Sequence, residues 1–362
     1  RKMLIAGGAG FVGSSLALLF HRAGGIEVCV ADNLRRRGSE LNLERLREAG
    51  IAFHHADARC PEDLEALPSF DVLVDCAAEP SVLAGLGGSP QGVIQNNLAG
   101  TINCLELARK AEAAFVFIST SRVYPYTTIN ALPFATTGDR FAWSAAAGVP
   151  GFSAERGIAE EFPLDGARSY YGATKLAAEL FIQEYAASAG MPALINRCGI
   201  LAGPWQMGKT DQGVVTLWVA SHFWKQPLRY IGFGGEGLQV RDMLHVEDLF
   251  GLLMRQFATA SAWNARPWNV GGGMAGSCSL RELTRLCAEA TGNTVPMAPV
   301  PETTPVDVRI YVTDAARAMQ AFNWKPERSP HDIVHETAAW LRNHATQLQP
   351  LFCAGGTVPC RT

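Results

Sequence analysis

The chain has 362 residues, 48% of them hydrophobic and 18% charged, with a formal net charge of −3. That length exceeds one typical core, so two lobes are expected, and the near-neutral balance leaves no electrostatic footprint for nucleic acid or an anionic membrane surface. The single basic run, Arg35-Arg36-Arg37, is too short to alter this, and no apolar run approaches the ~18 residues of a membrane-spanning helix.

Short apolar runs alternate with helical patterns through the first two hundred residues, the signature of a parallel sheet built from βαβ units. MLIAG (3–7) reads as the first strand, a glycine-rich turn GGAGFVG (7–13) follows, and 11–23 is helical. Strands at 27–32, 51–57, 71–77, 114–120 and 193–199 then alternate with helices at 40–49, 91–112 and 171–189. Such continuously apolar strands suit a sheet covered on both faces. After Gly203 the rhythm changes, with glycine turns, a short strand and a helix start in 233–249, then PWNVGGG (267–273) and a Pro-rich stretch 296–308. The expected fold is α/β: a Rossmann-type doubly wound parallel sheet in 1–200 carrying an insertion at 125–170, a smaller C-terminal α/β lobe mainly in 201–345, and an aperiodic tail at 346–362. No repeat is found.

Nine cysteines are scattered without a CxxC pair, and the histidines do not cluster. This argues against a zinc site and a disulfide framework, so no metal is expected, and reduced thiols in a cytoplasm are. The first strand begins almost at residue 1, so no signal peptide is expected.

In the glycine-rich turn, Gly7, Gly10 and Gly13 match G-x-x-G-x-x-G between a strand and a helix. Glycines there let the backbone turn tightly and approach a pyrophosphate at the helix N-terminus. Asp32 closes the second strand, where a carboxylate binds both adenosine ribose hydroxyls and repels a 2′-phosphate; NAD is therefore the expected cofactor. Arg35 to Arg37 would serve NADP or form a solvated loop. Asp57, ending the third strand, meets the adenine edge or caps a helix over 61–66. CAAEPSV (76–82) closes strand four with small residues that suit a backbone running beside a cofactor. Asn97 lies on an otherwise apolar helix, which suits a buried hydrogen-bonding role.

Strand five ends in hydroxyls at Ser119, Thr120 and Ser121, at the edge where ligands bind in such sheets. Hydroxyls there also form ordinary turns. In SYYGATKLAAEL (169–180), Tyr171 and Lys175 stand at i and i+4, on one helix face, while Tyr170 points elsewhere. An ammonium beside a phenol favours the phenolate and would make Tyr171 a usable proton shuttle, although Tyr and Lys at this spacing are also common on solvated helix faces.

Gly7-Gly10-Gly13, Asp32, Asn97, Thr120, Tyr171 and Lys175, in this order, resemble the extended short-chain dehydrogenase/reductase superfamily over about residues 2–345. The resemblance implies that Tyr171 is the acid/base, that Lys175 lowers its pKa and holds the nicotinamide ribose, and that Thr120 orients the substrate hydroxyl. It extends the cofactor contacts to Phe11, Val12, Asn33, Ala58, Ala77 and Ala78. Within the superfamily, DNLRRRG, STSRVY, TDQGVV, LQVRDMLHVEDL, WNVGGG and VDVRIYVTD resemble the CDP-tyvelose (CDP-paratose) 2-epimerases; the UDP-hexose 4-epimerases share some of these. A CDP- or UDP-linked sugar is the implied substrate. Arg241 and Arg309 are its implied pyrophosphate ligands, as bidentate guanidinium groups suit a diphosphate. Ser121, Arg122, Gln206, Asp211 and Gln212 complete the implied substrate contacts. The superfamily's dehydratases place an Asp-Glu pair after the strand-five threonine; Ser121 and Arg122 stand there instead. The implied activity is NAD-dependent epimerisation through a transient ketone at C2, with C4 inversion or net sugar reduction as alternatives. A homodimer paired through the helices at 91–112 and 171–189 is implied as well.

Overall fold

The structure, a computed structural model, describes residues 1–146, 148–208 and 212–353. Seven parallel strands form the central sheet: β1 (Lys2–Ala6), β2 (Glu27–Asp32), β3 (Ala52–His55), β4 (Val72–Asp75), β5 (Ala114–Thr120), β6 (Ala193–Cys198) and β7 (Asn264–Val270). Their spatial order is 3-2-1-4-5-6-7, so the direction of travel reverses beside β1, where open α/β sheets bind ligands.

Successive side chains of a strand point to opposite faces, and the core divides accordingly. Met3, Ile5, Val30, Val74 and Val116 pack on one side with Leu16 and Phe20 of α1 (Phe11–Ala23). Leu4, Leu73, Phe115, Phe117 and Ile195 pack on the other. There they meet α3 (Gly100–Lys110, entered through Gln91–Ile94 and a π segment Gln95–Ala99) and α4 (Tyr170–Ala189). α2 (Leu41–Glu48) joins β2 to β3, and a short helix Pro61–Glu65 lies between β3 and β4.

Beyond β6 a small sheet is built from Ile200–Ala202, Val240–His245, Ser277–Ser279 and Ile310–Tyr311. Three helices, α5 (Val214–Phe223), α7 (Leu280–Thr291) and α8 (Pro330–Asn343), enclose a separate core with Trp218, Leu283, Ile333 and Trp340. The expected division at residue 200 is not clean. Helix α6 (Val246–Ala258) returns to α1, with Phe20 edge-on to Phe250 at 5.0 Å and stacked on Phe257 at 5.4 Å. WNV of the expected lobe segment 267–273 belongs to β7 of the main sheet.

One further expectation is corrected. The tail from 346 begins as a helix, α9 (Ala345–Phe352), because Leu348, Leu351 and Phe352 share one face and reach the lobe core; Leu348 is fully buried. The hairpin of the 125–170 insertion, Phe134–Thr137 with Arg140–Trp143, is pinned to the lobe: Arg140 pairs with Glu282 at 2.6 Å, and Phe141 N–H donates to the Leu238 carbonyl at 2.9 Å. Among the described residues no helix is long and apolar enough to cross a membrane.

Candidate active site

The glycine turn between β1 and α1 is a close-packed cradle. Gly7 has φ +72°, and a Cβ there would sit 2.7 Å from the Ala77 nitrogen; at Gly13 it would sit 2.2 Å from the Gly7 carbonyl oxygen. Larger residues would push the β4 backbone away or close the space above the start of α1. Gly10 is the N-cap of α1 and offers no side chain to its free N–H groups, which leaves them to an anion. Asp32 accepts from the Ala9 N–H at 3.1 Å and the Leu34 N–H at 2.8 Å, so its carboxylate also fixes this turn. Burial raises its pKa, against those N–H groups. Phe11 and Val12 open α1 beside it, and Ala77 and Ala78 lie in the loop after β4.

Neighbouring residues brace this edge. Asn33 donates to Asp57 at 3.1 Å, and Arg59 pairs with Asp57 at 2.5 Å, which holds the Asp57 carboxyl well below the usual range. Asp57 is therefore not the expected cap of helix Pro61–Glu65: its N-cap is Cys60, and the carboxylate is closed on Arg59. Ala58 accepts from Asn103 at 2.9 Å. Asn97, fully buried in the π segment, clamps the loop after β4: it accepts from the Glu79 N–H at 2.7 Å and donates to the Glu79 carbonyl at 3.0 Å. The solvated loop of the sequence reading holds for Arg35 and Arg37, which are exposed, while Arg36 is half-buried. Arg36 donates to the Met207 carbonyl at 2.7 Å and to Gln212, and Arg37 reaches the Pro350 carbonyl at 3.1 Å.

The side chains expected to form the acid/base apparatus are set by the start of α4. Ser169 caps the helix by accepting from the Gly172 N–H at 3.1 Å. Gly172 lies directly on the Ser121–Val123 turn, since a Cβ there would stand 2.1 Å from the Arg122 carbonyl oxygen. This contact, missed in the sequence, brings Tyr171 to the end of β5, where the Thr120 hydroxyl acts on its phenol. Tyr170 points outward and is 43% exposed.

Burial pushes the Tyr171 hydroxyl up to about 12, only partly offset by Thr120. The expected lowering by Lys175 is not found. The lysine is drawn beneath β5, donating from Nζ to the Ile118 carbonyl at 3.0 Å, over the Phe117 ring at 4.2 Å. Burial lowers its own pKa while buried Asp75 supports its charge.

A small pocket opens beside this pair, lined by Ser121, Arg122, Tyr124, Arg241, Asp242 and Tyr311 among others. Asp307 holds Arg241 at 2.7 Å and faces Arg122 at 3.9 Å. The two expected phosphate ligands separate here. Arg241 lines the pocket, whereas the Arg309 guanidinium lies over Phe134 at 3.9 Å and Phe233 at 5.2 Å. Gln206 is held by neighbours, donating to the Leu201 carbonyl at 2.8 Å and accepting from Thr216 at 2.9 Å. Asp211 lies outside the described residues. Ser119 belongs to the core: it donates to Glu179, which pairs with buried Arg197 at 2.6 Å. Arg197 in turn donates to Tyr124 Oη at 3.1 Å.

Compared with known proteins, residues 3–271 match the NAD dependent epimerase/dehydratase family. The chain belongs to that family. Over 349 residues it is 30% identical to the CDP-paratose 2-epimerase of Salmonella typhi, covering 94% of this chain and 98% of that one. It is 28% identical over 359 residues to the dTDP-glucose 4,6-dehydratase of Streptomyces griseus, covering 98% of both. The UDP-glucose 4-epimerase of Thermus thermophilus, solved with NAD, superposes with a TM-score of 0.73 at 26% identity, covering 94% of this chain and 99% of that one. This family member is thus an NAD-dependent enzyme of the nucleotide-sugar epimerase/dehydratase kind.

Proposed function

We propose that this enzyme inverts C2 of a CDP-linked hexose or deoxyhexose through a 2-keto intermediate. The observation that supports the reading is the seat of Gly172 on the Ser121–Val123 turn, which holds Tyr171 at the end of β5 by Thr120, near a pocket that holds Arg241. The glycine cradle and Asp32 fit a dinucleotide: Gly7, Gly10, Phe11 and Val12 would meet its pyrophosphate, and Asp32 its adenosine ribose. When bound, NAD supplies the hydride acceptor of the family's transient oxidation. Tyr171, as the phenolate, would take the proton from the sugar hydroxyl while Thr120 orients that hydroxyl and the carbon's hydride passes to the cofactor; once the hydride has returned to the opposite face of the ketone carbon, the same phenol returns the proton to the carbonyl oxygen. Arg241 meets the diphosphate in exchange for Asp307, which fixes C1 and leaves C2 as the next carbon in. Ser121 and Arg122, following Thr120, provide no carboxylate pair for water loss, which favours epimerisation over dehydration. The described cysteines are all free, in keeping with a reducing cytoplasm.

The test is a panel of CDP- and UDP-sugars read by proton NMR, with NAD identified after denaturation. Substrate deuterated at C2 is expected to show a primary isotope effect when hydride transfer limits the rate, and C4 label none. A 4-keto product, or interconversion of UDP-glucose and UDP-galactose, would replace this reading with a 4-epimerase. Release of NADP instead of NAD would overturn the role given to Asp32.

A further inference from the structure

We propose that the outer face of the C-terminal lobe holds a site for a borderline divalent transition cation of the Zn²⁺ class, formed by His331, His335 and Glu289. His331 and His335 are one turn apart on α8, so both imidazoles share a face. Their rings lie 4.0 Å apart, nearly parallel. Glu289 arrives from α7, and one donor atom from each of the three residues lies within 4.8 Å of the others. Ligands held ~2.0–2.2 Å from a tetrahedral ion stand roughly 3.3–3.6 Å apart, so side-chain rotation of about 1 Å completes the set.

Two independent observations point to a ligand. The Nε2 of His335 is closed off from solvent yet has no hydrogen-bond partner. Buried polar atoms are rarely left so, and an imidazole nitrogen among other donors is the commonest metal ligand. Behind His331, Asp332 places a carboxylate oxygen 3.7 Å from Nδ1, while His331 Nε2 faces Glu289 at 3.7 Å. A carboxylate behind a ligating imidazole orients the ring and raises its basicity. Asp332 is itself held, because its other oxygen closes the capping box with Ser329 at 2.7 Å.

Two imidazoles and one carboxylate suit Zn²⁺, Co²⁺ or Ni²⁺, whereas Mg²⁺ and Ca²⁺ prefer all-oxygen sets. None of the three residues lines the catalytic pocket, so the bound ion would tie α7 to α8 and stiffen the lobe core without entering the chemistry. The expectation of no zinc site rested on the absence of a CxxC pair and of clustered histidines; it overlooked H-x-x-x-H at 331–335, whose third donor, Glu289, stands about forty residues upstream.

The experiment uses the full chain, free of any affinity tag and stripped with EDTA. Calorimetric titration with ZnCl₂ is expected to give one saturable site per chain, and saturation to raise the melting temperature by a few degrees. MgCl₂ should do neither. CoCl₂ should give a visible spectrum without thiolate charge transfer, which separates this site from the cysteines. The double variant His331→Gln/His335→Gln should lose the titration while keeping its circular dichroism and turnover, and Glu289→Gln should weaken it. Unchanged Zn²⁺ binding in the double variant, a thiolate band with Co²⁺, or no saturable site would overturn the proposal. If the double variant is misfolded, Glu289→Gln alone decides, since it leaves both half-exposed rings in place.

Discussion

Gly172 offers a direct handle on how the catalytic pair is positioned. A Cβ at this residue stands 2.1 Å from the Arg122 carbonyl oxygen, while ordinary contact begins at 3.4 Å. In Gly172→Ala the start of α4 and the Ser121–Val123 turn must therefore part by 3.4 − 2.1 = 1.3 Å. Neither can yield harmlessly: α4 carries Tyr171 and Lys175, and the turn follows Thr120. A ~1 Å misplacement of reacting groups costs about 100-fold in rate, and overpacking costs roughly 1–3 kcal/mol of stability. The assay is initial turnover by proton NMR on the nucleotide sugar that the panel identifies, with NAD content and melting temperature measured on the same sample. Gly172→Ala is expected to remain folded, keep its NAD and lose about 100-fold in kcat. A variant with wild-type kcat would refute the claim that this contact sets the Tyr171–Thr120 geometry.

Tyr171→Phe should keep fold and NAD and lose at least ~100-fold in rate, with exposed Tyr170→Phe near wild type; equal losses from both would undo the assignment. Burial pushes the Asp242 carboxyl up to about 6 from 3.8, so the folded chain holds a proton there that the unfolded chain has released. That contribution is full below about 4 and is lost as pH rises through 6, at about 3 kcal/mol. Asp242→Asn should therefore compare more favourably with wild type at pH 7.5 than at pH 4.5 in denaturant titrations, and a pH-independent difference would refute this. On α4, Leu180 is 57% and Phe181 43% exposed, side by side on a helix proposed to pair in a dimer. Sedimentation should show a dimer that Leu180→Glu/Phe181→Glu converts to the 38.9 kDa chain; a wild-type monomer at micromolar concentration would refute it.

The sheet was legible because its strands are short apolar runs at regular spacing, and α1 was read to the residue from its glycine turn. Thr120, Tyr171 and Lys175 were legible as residues, but their electrostatics were not. Helical spacing puts Lys175 near Tyr171; only the packing shows that the ammonium turns to the Ile118 carbonyl. Likewise two arginines at similar strand positions looked equivalent. Their separation depends on which aromatic rings the insertion delivers, and Phe134 lies about 175 residues from Arg309. Strand β7 was hidden because its alternation is interrupted by Arg266 and Pro267, tolerable at an edge strand. Gly172 resembled any helical glycine until its neighbour across the turn was known.

The path of the chain between the two layers limits how such an enzyme can be rebuilt. The chain leaves the main sheet after β6, lays down two strands of the small sheet, comes back through α6 and β7, and departs again. A C-terminal half taken from a relative and joined at residue 201 would also exchange the seventh strand and the helix that covers Phe20. Recombination for new sugar specificity thus has to travel in at least two separate pieces, 200–245 and 277 onward, with the intervening segment kept from the parent.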